Sequence, residues 1–251
     1  MQNWWKLPYS IYAIILIFVL FLLVLPIYVL IKIFLPYSKQ MLGVHSTNKI
    51  VFLVWSAFTG FRYKITGVEN IDDNQTYVVI CNHNNLADFM ASAYGIQVPA
   101  KPLIKKELLN IPIIGQLFAM ASVPLDRKDD DARKKSLEVM IKELEQNISL
   151  IIFPEGTRNR TPQPLKEFHN GAFIISMKSG KPILPVVFTN MKNLSPAESL
   201  LIRPWRIEAN HLAPIFPDAF QDVQEFKDHV YRIMWNYLVE NDKSYKSFEK
   251  L

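Results

Sequence analysis

The chain of 251 residues carries 28 Lys and Arg against 23 Asp and Glu, a formal charge of +5, and half of its residues are hydrophobic. That length suits one sizeable domain, or one domain with an attachment, because soluble cores usually run about 100 to 200 residues. A single cysteine, Cys81, excludes an internal disulfide framework and a CxxC zinc site and fits a reducing compartment, while the positive charge suits either nucleic acid or an acidic membrane surface.

The N-terminus decides for the membrane and against nucleic acid. Leu7 to Ile31 holds no charge over 25 residues and is bounded by Lys6 and Lys32. As helix it is roughly 37 Å long, enough to cross a hydrocarbon core of about 30 Å. A secretory signal has a shorter apolar region and a small-residue cleavage site, which this stretch lacks. Trp4, Trp5 and Tyr9 at one end and Tyr28 and Tyr37 at the other are expected as interfacial anchors, and Pro26 as a kink. Lys32, Lys39, Lys49, Arg62 and Lys64 follow the segment and only Lys6 precedes it, so the positive-inside bias puts the remainder of the chain in the cytosol. A second apolar stretch, Ile50 to Phe61, is too short to span and is expected at the interface or returning to the bilayer.

Beyond about Tyr63, short apolar runs alternate with helical periodicity, which predicts an α/β fold with a mixed sheet flanked by helices. Strands are expected at Tyr77 to Cys81, Ser122 to Leu125, Ser149 to Phe153, Ile183 to Phe188 and Trp205 to Ala209. Asp129, Asp130 and Asp131 read as a helix start rather than a magnesium site, followed by the apolar face Leu137, Met140, Ile141 and Leu144. Val223, Phe226, Val230, Ile233 and Tyr237 recur at spacings of 3 and 4 and predict a core-facing helical stripe, with Trp235 off its line.

The segment "CNHNNLADFM", Cys81 to Met90, places a histidine five residues before an aspartate at the end of a strand. A neutral imidazole accepts a proton near pH 7, and a carboxylate beside it fixes its tautomer. On one continuous helix the two side chains would sit roughly 140° apart and could not meet. His83 must therefore precede the helix, in the turn, with Asp88 in its first turns. Asn82, Asn84 and Asn85 suit such a turn and its cap. None of His45, His169, His211 and His229 has an aspartate five residues on, and they read as surface or packing residues. By itself the pair is weak, since one such spacing arises readily by chance.

A second motif follows in "ISLIIFPEGTRNR", Ile148 to Arg160. Pro154 and Gly156 fit the second and fourth positions of a type I turn. Glu155 within it and Arg158 and Arg160 beyond it are either a solvated salt bridge or a site for a phosphate and neighbouring hydroxyls, which guanidinium forks bind bidentately.

Together "NHNNLAD", "KKELLNIPIIGQLFAMASVPLDR", "FPEGTR" and "PILPVV" resemble, in order, the blocks of the glycerophospholipid acyltransferases, most closely the 1-acyl-glycerol-3-phosphate acyltransferases. The resemblance covers about Ile65 to Val187. It implies a glycerol-3-phosphate acyltransferase-like fold; with the hydropathy pattern, the chain is expected in three parts, a membrane helix over 1–36, a membrane-associated connection over 37–62 and a catalytic domain over 63–251. It further implies His83 as the base for the acceptor hydroxyl, Asp88 as its orienter, and Arg127 with Lys105 or Lys106 on the acceptor's phosphate. Glu155, Gly156, Thr157 and Arg158 would complete the glycerol phosphate site. The hydroxyl of a lysophospholipid would attack the thioester of acyl-CoA or acyl carrier protein, with no resident cofactor or metal and no covalent acyl-enzyme. Three positions depart from the family pattern: Asn85 stands for the usual serine, Ser122 for a common glycine, and His169 for a usual lysine, whose contact Lys166 could take over. Lysophosphatidate is the favoured acceptor and phosphatidate the product. The alternatives are another lysophospholipid or a non-catalytic lipid-binding protein; a hydrolase lacks its Gly-x-Ser-x-Gly elbow.

Overall fold

The computed structural model describes residues 5–85, 87–111, 114–126, 130–192, 194 and 201–251. Two long helices come first, α1 (Lys6–Phe34) and α2 (Tyr37–Thr59). They precede β1 (Arg62–Thr66), β2 (Val78–Cys81), α3 (Asp88–Gly95), β3 (Ala100–Lys105), α4 (Ile114–Ala121), β4 (Val123–Leu125), α5 (Asp130–Glu145) and β5 (Ser149–Ile152). The chain closes with α6 (Gly171–Ser179), β6 (Ile183–Thr189), β7 (Arg206–His211) and α7 (Val223–Asn241), followed by a 3-10 turn at Lys243–Tyr245.

The strands form one mixed sheet in the order β1-β7-β6-β2-β5-β3-β4. β6 and β7 pair antiparallel, whereas β6, β2, β5, β3 and β4 run parallel to one another. Their carboxyl ends therefore share one edge, the place where open α/β sheets hold ligands. Alternation along β2 divides the core. Val79 and Cys81 face a cluster with Phe52 and Trp55 of α2, and Val78 and Ile80 face one with Phe173 of α6 and Phe226 of α7.

The five expected strands are present, within two residues at each end. β1 and β3 were not foreseen, for a physical reason. "RYKIT" lies on the sheet edge with a charged, half-exposed pattern, and "AKPLIK" carries two lysines and Pro102 inside a central strand. Lys101 is tolerated there because its ammonium meets Glu143 of α5 at 3.0 Å and the Tyr37 hydroxyl at 2.7 Å. Asp130 opens α5; Asp129 lies outside the described residues.

The stripe expected on α7 is corrected in its second half. Phe226 and Val230 are buried, but the face continues through Met234, Trp235 and Leu238, while Ile233 and Tyr237 are only partly covered. A 3.6-residue turn drifts away from a strict 3-4 pattern over five turns. The helix begins at Asp222, whose carboxylate accepts from the amides of Gln224 and Glu225.

The N-terminal pair departs from expectation at two of its expected interfacial anchors. α1 is the one described helix long and apolar enough to cross a membrane, and it continues through Pro26. From Ile50 to Thr59 the second apolar stretch belongs to α2, a 23-residue helix ended by Gly60 in the left-handed region (φ +73°). Two expected anchors point inward. The Tyr9 hydroxyl donates to the Thr59 carbonyl at 2.6 Å, and buried Tyr28 donates to Asn48 at 2.5 Å. The Trp55 indole N–H donates to the Ala13 carbonyl at 2.8 Å, so α1 and α2 form a bonded hairpin on the sheet. Trp4 lies outside the described residues.

Candidate active site

β2 ends at Cys81, and the three asparagines around the histidine hold the exit in place. Asn82 replaces a ladder pair: its amide donates to the Phe188 carbonyl at 2.9 Å and accepts from the Phe188 N–H at 2.8 Å. Asn85 donates to the Met191 carbonyl at 2.8 Å and accepts from the Ala87 N–H at 2.8 Å. Asn84 accepts from the Tyr245 hydroxyl at 3.4 Å. These residues were expected as caps and turn formers; Asn82 instead fastens the end of β2 to β6.

His83 lies in the strand-to-helix turn and Asp88 is the first residue of α3. Their side chains meet, with Nδ1 of His83 2.7 Å from Oδ2 of Asp88. The same oxygen accepts from the amides of Asn84 at 2.6 Å and Asn85 at 3.0 Å. Asp88 is fully buried, and burial raises its pKa against the opposing pull of His83 and those two amides. A carboxylate on Nδ1 places the imidazole proton there and leaves the Nε2 lone pair outward. The ring packs on Phe153, 4.6 Å between centroids.

The Pro-Glu-Gly turn follows β5 at the same sheet edge. The Gly156 N–H closes it onto the Phe153 carbonyl at 3.0 Å, and Gly156 takes a φ of +68° that a side chain would resist. Glu155 takes a different place from the expected phosphate site. One carboxylate oxygen accepts from the His83 N–H at 2.7 Å and the other from the Lys166 N–H at 3.0 Å, with the residue 1% exposed. It joins the histidine turn to the loop behind the motif, and a carboxylate would in any case repel a phosphate. Burial, working against those amides, pushes its pKa up to about 7. Asn159, which the motif reading passed over, donates its N–H to the His83 carbonyl at 2.6 Å.

Arg158 lines a cavity together with His83, whereas Thr157 is exposed and accepts from the Lys166 ammonium at 2.6 Å. Lys105 and Lys106 stand exposed where β3 ends, Lys106 within 3.2 Å of Asp126. Arg127 lies outside the described residues. Cys81 is wholly buried and burial pushes its thiol well up, which suits a packing role. Of the other histidines, His211 is buried between the Thr66 carbonyl and the Gln97 N–H, His169 is exposed, and His45 lines the same cavity as His83.

That cavity, about 520 Å³, runs from His83 and Arg158 into apolar walls. Ile17, Phe18 and Phe21 of α1, Phe52 of α2, Leu103 of β3 and Phe118 of α4 form much of its lining. Hydropathy marks α1 as long and apolar enough to cross a membrane; that it also walls a cavity follows from packing and has no sequence signal. The arrangement offers a proton acceptor, a guanidinium and an apolar recess at one place.

A mixed sheet with a histidine–aspartate pair and an apolar cavity at its carboxyl edge has the architecture of an α/β enzyme. The crystal structure of the 1-acyl-sn-glycerophosphate acyltransferase PlsC from Thermotoga maritima superposes with a TM-score of 0.83 over 100% of both chains at 20% identity, a likeness of fold. In sequence, the Acyltransferase family profile matches residues 62–189. A 1-acyl-sn-glycerol-3-phosphate acyltransferase of Cocos nucifera is 30% identical over 215 residues, 83% of this chain and 68% of that one. The alpha enzyme of that name from Mus musculus is 30% identical over 176 residues, 68% of this chain and 61% of its own. The chain belongs to the acyltransferase family.

Proposed function

We propose that the chain acylates the free hydroxyl of 1-acyl-glycerol-3-phosphate, taking the acyl group from acyl-CoA or acyl carrier protein and making phosphatidate for phospholipid synthesis. The observation that carries this reading is the His83–Asp88 contact at 2.7 Å, opening on an apolar cavity beside Arg158. The names of the relatives from Cocos nucifera and Mus musculus supply the acceptor.

In the proposed reaction His83 Nε2 takes the hydroxyl proton as the oxygen attacks the thioester carbonyl. The tetrahedral intermediate collapses, the carbon–sulfur bond breaks, and the leaving sulfur takes the proton from His83 and departs as the thiol, which restores the neutral base. Asp88 keeps the ring in the required tautomer and stabilises the imidazolium. Arg158, with Lys105, Lys106 and Arg127, is the proposed cation set for the phosphate. The role of Glu155 is to hold the turn that carries His83. The cavity takes the fatty chain, as its apolar lining favours.

Substrate and product both partition into lipid, so the enzyme works at the bilayer, held by α1 with the sheet on the cytosolic side. Exposed Leu42, Ile50, Leu53 and Phe58 of α2 offer a further apolar seat on the membrane surface.

The test is transfer from labelled acyl-CoA and acyl carrier protein to a panel of lysophospholipids, using membranes carrying wild type or His83→Ala at matched expression. Transfer to lysophosphatidate that disappears in the variant is expected. Transfer that survives it, or none to any acceptor, would overturn the mechanism.

A further inference from the structure

Besides Ser92 and Ser122, whose hydroxyls are taken up by the Phe89 and Phe118 carbonyls, three larger polar side chains interrupt the apolar wall of the cavity at a distance from the reacting end. Tyr28 of α1 and Asn48 and His45 of α2 line it together. Phe52 marks the side near the dyad, since its ring lies 6.0 Å from that of Phe89, next to Asp88. His45 is seven residues before Phe52 in the same helix, roughly 10 Å along its axis. Met41 and Met120 continue the lining, with Met41 one further helical turn along α2.

The hydrogen bonding of this group is incomplete. The Tyr28 hydroxyl occupies Asn48 Oδ1, while the Asn48 Nδ2 group has no partner among the described residues. His45 is nine-tenths buried, and its Nε2 also has no partner there. Burial, helped by Lys49, pushes the imidazole pKa down to about 4, so the ring is neutral at pH 7 and carries one donor and one acceptor.

Resting on the reading that the cavity holds the transferred acyl chain, we propose that Asn48 and His45, braced by Tyr28, form a polar stop that sets the longest chain accepted. Each methylene laid against the apolar walls gains about fourfold in binding. A chain pushed past the stop covers the half-buried Asn48 amide without offering it a partner, a loss on the order of tenfold or more, and meets the His45 ring, whose Nε2 is already closed off from solvent. The loss exceeds the gain at that point, so selectivity turns over although room remains beyond.

The experiment is a series of acyl-CoA donors of increasing length with one acceptor, reading the ratio of kcat/KM between donors, which does not depend on the fraction of active protein. Wild type, Asn48→Leu, His45→Leu, the double variant and Ile17→Trp are compared. In the Leu variants the longest accepted chain is expected to grow by two or more carbons, with the ratio of long to medium donors rising about tenfold. Ile17→Trp narrows the cavity before the stop and is expected to shorten the limit. If Ile17→Trp shortens it but neither single nor double Leu variant moves it, the stop is overturned and the cavity assignment stands. If Ile17→Trp leaves it unchanged, the chain does not lie in this cavity and both readings of it fall.

Discussion

Oδ2 of Asp88 receives three donors at once: Nδ1 of His83 at 2.7 Å and the backbone amides of Asn84 and Asn85 at 2.6 and 3.0 Å. The two amides come from the turn that also carries His83, so the carboxylate is aimed before substrate arrives. Replacing Asp88 with Asn keeps an acceptor for the amides but removes the charge that stabilises the imidazolium. Asp88→Asn is expected to lower kcat by about 10² to 10⁴ with a smaller change in KM. Steady-state acyl transfer measures both, and a variant within threefold of wild type would remove Asp88 from the mechanism.

Glu155 gives stability a pH dependence. Its pKa rises from 4.5 to about 7 on folding. The stability contributed by its buried protonated form is complete below pH 4.5 and is lost as pH rises through about 7, a span of roughly 3 kcal/mol at full effect. Wild type in detergent should therefore lose thermal stability relative to Glu155→Gln across that window and hold level above it. A difference between the two proteins that is flat from pH 4.5 to 8 would contradict the buried, proton-binding state.

Asn82 completes the ladder between β2 and β6 beneath the catalytic turn. Asn82→Ala leaves the Phe188 N–H and carbonyl buried without their partner, a loss of about 2 to 4 kcal/mol. Lower stability in denaturant titration should accompany a lower kcat, because the end of β2 then positions His83 less firmly.

Lys101 and Glu143 form an ion pair whose side chains are 6% and 12% exposed. Breaking it with Lys101→Met leaves the buried Glu143 carboxylate with the Tyr37 hydroxyl but no counter-charge and should cost about 3 to 5 kcal/mol. The double variant Lys101→Met with Glu143→Leu should recover most of that, since desolvating the pair offsets much of its attraction. Thermal unfolding of the two variants side by side decides it, and equal losses in both would sink the argument.

Several of these relationships could be read along the chain. Strong local signals marked β2, β5 and β6, each with all or nearly all of its residues buried, and a helical-twist argument put His83 in the turn and Asp88 in the first turn of α3. β3 escaped because Lys101 and Pro102 oppose strand propensity, and only the distant Glu143 and Tyr37 make the lysine tolerable. Glu155 was placed at the glycerol phosphate site because it stands beside two arginines at a strand end and because the family resemblance implied it. Its two amide partners, 72 positions away and 11 positions on, have no local signature.

The sequence by itself determined the class of the fold, the apolar N-terminal helix and the residue types of the dyad, because periodicity, hydropathy and turn chemistry act between near neighbours. Only the tertiary structure decided that α1 and α2 wall a cavity leading to His83, that Asn82 and Glu155 brace the catalytic turn, and that Asn48 and His45 interrupt an apolar path. Those arrangements depend on which faces of remote segments come together, which side-chain packing and buried hydrogen bonds settle over long separations.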